Sequence, residues 1–291
     1  MIKYSPIKFR ELNEYCTPQG PDINSAKPVE FSLAGSKIRF LAPKHKTQYS
    51  SAENVTPVGH YSIDNDSSRR FSHGVVDQDS WRFIPLCNRS WSFYGPWFVG
   101  AIAELNMSVS VIMPSEHDES TSFFNPRVFE FSISKYLEAR YKSDISFGGA
   151  EWIAPVNWQP SQGLPATGVT FDVVPNAETD NSGKYMKYFL MPVGDSQILE
   201  FSFGLDQIMP GNLNDKDEMI DRSSMDALVK NIIASINIDL SKEAILQQDL
   251  ALEGMQNKDL VSEFPPIKFT TDEQDAEWNE YLKLHGSKAL A

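Results

Sequence analysis

No run of about 18 apolar residues occurs in this sequence, so no segment of it reads as a membrane-spanning helix. The first twenty residues, MIKYSPIKFRELNEYCTPQG, lack the apolar stretch of a secretory signal. The expectation is a soluble cytoplasmic chain, or a periplasmic one if a signal peptide has been removed. Only two cysteines are present, Cys16 and Cys87, without CxxC spacing. That excludes the usual zinc and redox motifs and leaves open one bridge or two free thiols. The serine-hydrolase elbow GxSxG, the dinucleotide fingerprint GxGxxG and the P-loop are all missing. The pair Gly183–Lys184 lacks P-loop spacing and reads as a turn before a strand. None of the five histidines forms an HxH, HxxxH or HExxH pair. Convergence of His45, His60 and His73 with Asp64 or Asp66 would be needed for a metal, against the simpler reading of scattered imidazoles. No cofactor is expected.

Charge is lopsided in turn. Lys and Arg number 26 against 39 Asp and Glu, a net charge of −13. Such a balance argues against nucleic acid and anionic membranes as partners and suits a basic protein. The 291 residues, 41% hydrophobic and 12% aromatic, are enough to bury a core without disulfide staples.

Hydrophobic periodicity then organises the chain. Val29, Phe31 and Leu33, then Ile38 and Phe40, alternate with polar residues around Gly35, a hairpin signal. Residues 44–80 are polar and read as a long loop. In ELNMSVSVIMP, Leu105, Met107, Val109 and Val111 face one way and Glu104, Asn106, Ser108 and Ser110 the other, as in a half-buried antiparallel strand. Asn125 and Pro126 open a helix that carries Val128, Phe129, Ile133, Tyr136, Leu137 and Tyr141. Four further strands follow between 150 and 205. The connection PGNLNDKDE reads as a solvated loop, and Met225, Leu228, Val229, Ile232, Ile233 and Ile236 form a helical stripe. A second helix ends at Gly254. Thr271 and Gln274 box the start of a last helix, which stops near Gly286. The order implies an α+β fold with a largely antiparallel sheet covered by helices. It divides into an N-terminal arm (1–24), an α+β domain (25–240) and a helical C-terminal extension (241–291) that packs on the domain or on a partner, a second copy included.

Two stretches are candidates for function. SEHDES gathers Glu116, His117, Asp118 and Glu119, which read as a solvated turn or as groups tuning one another for acid–base work. The other is WRFIPLCNRSWSFYGPWFVG, residues 81–100. Strand alternation there puts Trp91, Phe93, Trp97 and Val99 on a core face and Tyr94 and Phe98 on the opposite one, open to a binding role. Trp278, on the last helix, is a third candidate anchor.

The segments GVTFDVVPN, KYFLMPVGDSQILEFSFGL and MDALVKNIIASINI give paired strands followed by a helix. In this cadence residues 150–240 resemble the PsbP/Mog1-like group, which includes small secretion chaperones. The resemblance implies an antiparallel sheet covered by helices and a mostly non-catalytic role, and it carries over no site residues. Composition also resembles that of acidic bacterial immunity proteins. The resulting expectation is a non-enzymatic binding protein for a basic toxin or effector, with Tyr94, Phe98, Trp278, Glu116 and Asp118 as binding residues. The alternatives are a hydrolase built from distant residues around Glu116, His117 and Asp118, or a lipid or small-ligand carrier with a pocket beside Trp91 and Trp97.

Overall fold

The alternation around Gly35 folds as a hairpin in the computed structural model, which describes residues 3–49, 54–63, 69–71, 81–146, 149–177, 179 and 183–285. Strands β1 (Lys27–Leu33) and β2 (Ser36–Ala42) pair antiparallel, and Ala34 and Gly35 turn between them with φ of 45° and 83°. That is the left-handed pair a two-residue hairpin loop requires.

The polar region contributes β3 (His60–Tyr61), parallel to β1, and β4 (Arg69–Phe71), which pairs with β5 (Trp81–Tyr94). Other parts of it line the same strand: Lys46 and Val55 form bridges to Trp91 and Asn88. What reads as an irregular loop is therefore partly edge structure, because polar residues satisfy their backbone groups against an open strand. Asp64, Asp66 and His73 lie outside the described residues.

Strand β5 pairs with β6 (Ala101–Pro114), and α1 (Pro126–Tyr141) follows, capped by the Asn125 side chain accepting from the Arg127 amide. A small pair, β7 (Ile145–Ser146) and β8 (Gly149–Ala150), leads into β9 (Trp152–Ser161), β10 (Gly168–Pro175), β11 (Tyr185–Pro192) and β12 (Ile198–Gln207). Helix α2 (Leu213–Met219) occupies the stretch expected to be a solvated loop. Its capping box, Asn212 with Asp215, and the buried Leu213 explain the difference. Helix α3 (Ser223–Ala234) carries the predicted stripe but stops before Ile236, and β13 (Asn237–Asp239) pairs with β2. Helix α4 (Lys242–Ala251) and helix α5 (Asp272–His285) complete the chain, the latter opened by the predicted Thr271–Gln274 box. Gly286 lies outside the described residues.

The main sheet has seven strands in the order β4-β5-β6-β12-β11-β10-β9, with every pairing antiparallel. The α+β class is thus borne out. One face packs on a second sheet, β13-β2-β1-β3, and on α3, where Phe40 meets Phe201 edge-on at 5.0 Å. The other face packs on α1 through Phe129, Ile133, Tyr136 and Leu137. From α4 the chain runs as an extended strap to α5, placing Leu260, Phe264, Ile267 and Phe269 in that same α1-side core. Glu130, itself buried, holds the strap by accepting from the Val261 amide (2.6 Å) and from Arg127.

Candidate functional site

Three places collect functional chemistry, and the turn between β5 and β6 is the first. Strand β5 ends at Tyr94, so the alternation assumed for Trp97 and Phe98 does not continue. Trp91 and Phe93 are buried as expected, with the Trp91 indole donating to the Lys44 carbonyl at 2.9 Å. Trp97, expected in the core, is 41% exposed, as is Phe98. Both sit at positive φ, 54° and 67°. Bulky aromatic residues are genuine outliers there. The hairpin needs two left-handed residues, and the chain spends them on Trp-Phe where Asn-Gly would be the relaxed choice. The N-terminal arm clasps this knuckle. The Trp97 amide donates to the Lys3 carbonyl (2.6 Å) and the Phe9 amide to the Phe98 carbonyl (2.8 Å). Phe9, 82% exposed, tilts against the Phe98 ring at 6.0 Å. Ile7, on the same arm, is also exposed. Tyr94 is half-buried beneath the same arm, its amide donating to Gln19 O at 2.8 Å, and burial pushes its hydroxyl pKa up. Trp91, at 0% exposed, and Trp97 thus differ in exposure although one face was expected for both.

The second place is a cavity of about 510 Å³ between the SEHDES turn and α1. Glu116, His117 and Asp118 line it together with Trp81, Phe131 and Arg127. His117 Nε2 meets the Thr121 carbonyl at 3.1 Å, and its ring sits edge-on to Phe123 at 5.3 Å. The Ser120 hydroxyl and amide hold the exposed Asp118 carboxyl below its ordinary pKa. These contacts bind the turn to itself. Helix α5 carries Trp278 stacked on Tyr281 at 5.7 Å, both half-buried, while Leu284 is exposed.

The third place was not singled out by sequence. Strands β5, β6 and β12 put small polar residues on the α1-side face, and α1 covers only one end of it. The remainder is a trough of about 950 Å³. Pairing aligns its floor in rows: Asn88, Ser108 and Ser202; Ser90, Asn106 and Gly204; then Ser92, Glu104 and Asp206. Glu104 and Ser110, expected on a solvated face, are buried instead, the former engaged by Thr47 and the latter bonded to Glu200. Arg140 forms one end of the trough. It contacts Glu200 and the Tyr136 hydroxyl, with the rings of Tyr136, Tyr141 and Tyr188 5.6–5.8 Å from its guanidinium. Lys184, from the Gly-Lys pair, lies across Gly204, where an added Cβ would stand 2.9 Å from its Cε. The signal that could have found this site was the run of Ser, Asn and Gly facing one way on three strands.

His45 Nδ1 accepts from the Ser90 amide at 2.9 Å, and among the described residues no group of three or more His, Cys, Asp or Glu is placed to hold a metal. Cys16 and Cys87 are both free thiols, Cys87 in the core. No helix among the described residues is long and apolar enough to cross a membrane. No family model, curated protein or solved structure matches the chain. The likeness of residues 150–240 to the PsbP/Mog1-like group therefore rests on the cadence of strands and helix alone.

Proposed function

We propose that the protein is a non-catalytic binding module that recognises a basic protein partner through the Trp97–Phe98 knuckle. The observation that carries this reading is the placement of two bulky aromatics at positive φ on an exposed turn. Strain of this kind clusters at functional sites and persists where the surroundings hold it, as the N-terminal arm does here. Exposed Trp and aromatic neighbours are the usual anchors of protein interfaces, and Phe9 enlarges the patch. A net charge of −13 steers a partner of opposite sign toward the molecule. The bonds of His117 to its own turn support a structural role for that residue. A basic toxin or effector, met by an immunity protein or secretion-linked chaperone, is the biological setting this reading implies.

The test compares the wild type with the double variant Trp97→Asn/Phe98→Gly. The substitution relieves left-handed strain of about 1 kcal/mol or more per residue, so the variant melts at a higher temperature. It is expected to lose a basic protein that the wild type retains from source-cell lysate at low salt and releases at high salt. Equal capture by both proteins would remove the knuckle from the interface.

A further inference from the structure

We infer that the trough over β5, β6 and β12 is a binding site for an oligosaccharide, independent of the knuckle and of any protein partner. Four observations combine to select that chemistry. The floor is a grid of hydroxyls and amides from Asn88, Asn106, Ser108 and Ser202, with Ser90 beneath it donating to Asn106 Oδ1 at 2.6 Å and rows set by strand spacing of about 4.8 Å. Each such group donates or accepts, which matches a ligand whose own hydroxyls do both. The Oδ1 of Asn88, a lining residue, is buried and, among the described residues, has no hydrogen-bond partner.

The charges have both signs: Glu104, Asp144 and Asp206 face Arg140 and Lys184. A phosphate or other polyanion would meet three carboxylates, and a polyamine would meet two cations. A neutral polyhydroxylated ligand meets neither penalty and can gain charge-assisted hydrogen bonds from Asp206 and Lys184, while Glu104, Asp144 and Arg140 are already bonded to Thr47, Trp152 and Glu200. Aromatic rings stand at the walls, Tyr49 half-exposed on one side and the half-buried Trp152 on another, as flat partners for the C–H faces of sugar rings.

An extended peptide suits the trough less well. Peptides add to sheets through unpaired strand edges, whereas β6 and β12 are hydrogen-bonded on both sides. Gly204 also has a reason here. Its missing side chain keeps the middle of the floor low, and its φ does not require glycine, so it preserves space.

The experiment exposes the labelled full chain to a glycan array, then measures affinity for retained glycans by calorimetry and by Trp fluorescence, which Trp152 reports. Wild type is expected to retain a related group of oligosaccharides. Gly204→Leu fills the trough at the cost of moving the flexible end of Lys184, so its melting temperature should hold while affinity falls about tenfold or more. Asp206→Asn, which keeps shape and removes charge, should weaken the same glycans without unfolding the protein. Trp97→Asn/Phe98→Gly should bind them as the wild type does. Retention of no glycan, retention unaffected by Gly204→Leu, or displacement of fluorescence by a peptide library in place of glycans would each overturn the inference.

Discussion

At the scale of single residues, burial decides which groups are reactive. The Cys87 thiol lies in the core, and burial pushes its pKa up to about 11. Cys16 is only partly buried, and burial raises its thiol pKa as well. A thiol reagent at pH 8 should therefore label Cys16 in the native protein and Cys87 only after denaturant is added. Rapid native labelling of both would contradict the packing. Tyr185 offers a second readout. Burial and its hydrogen bond to Asp217 (2.8 Å) raise its hydroxyl to about 12, against the pull of the Arg222 guanidinium 3.3 Å from its ring. Folding thus favours the neutral phenol. That stability is complete below the unfolded value near 10 and is lost as pH rises through 12. Alkaline unfolding should begin in that window and shift to lower pH in Asp217→Asn. Neither environment is legible in a sequence, because Cys87 and Tyr185 acquire their surroundings from strands and helices distant in the chain.

Secondary elements show where local rules suffice. The Asn125 cap, the stripe of α3 and the Thr271–Gln274 box are readable because each depends on residues within one or two turns. Helix α2 hid behind its polarity: only Leu213 and Lys216 are buried, so no stripe announces it. The knuckle hid for a different reason. Strand alternation was extended past Tyr94, although Gly95 and Pro96 precede the turn, and this moved Trp97 to the wrong side. The trough was written in the alternation of β6 and β12, but its openness depends on the length of α1. The strap from α4 to α5 lacks any periodic signal and is held by side chains of other elements: Trp158 donates to the Val261 carbonyl at 2.9 Å, and Glu130 accepts from the Val261 amide. The Ile267 amide donates to Ala154 on the outer strand β9, so the strap also shields a sheet edge that Pro155 and Pro160 already blunt. Leu260→Ala should cost about 2 kcal/mol. Glu130→Gln should make residues 252–270 cleavable by trypsin or chymotrypsin well below the global melting temperature. Uniform protection up to global unfolding would show the strap to be no separate unit.

For the molecule as a whole, the surplus of carboxylates sets the response to solvent. Self-repulsion at a net charge of −13 opposes compactness. Thermal stability should therefore rise as salt is brought from near zero to about 0.15 M, and should rise again as pH falls from 8 toward 5. Further acidification reverses the trend. Asp221, bonded to Ser223 and to Thr17 of the N-terminal arm, has a depressed pKa, with the Ser223 hydroxyl as its main cause. Its contribution is complete above the unfolded value near 4 and fades as pH drops through the folded one. Melting curves from pH 8 to 3 should pass through a maximum; a monotonic decline from pH 8 would argue against charge repulsion as the controlling term.

The order of strands in the main sheet has a further consequence, in the time domain. Strand β6 lies inside the sheet, yet its second neighbour is the central strand β12, with Val109 opposite Phe201 and Ser110 opposite Glu200. The second sheet is likewise completed only by β13, whose Ile238 faces Ile38. During synthesis at roughly 5–20 residues per second, the hairpin of β5 and β6 leaves the ribosome with its apolar face and one edge bare. It waits through about a hundred further residues for a partner. A ribosome stalled before β12 would display an adhesive half-sheet rather than half of a fold.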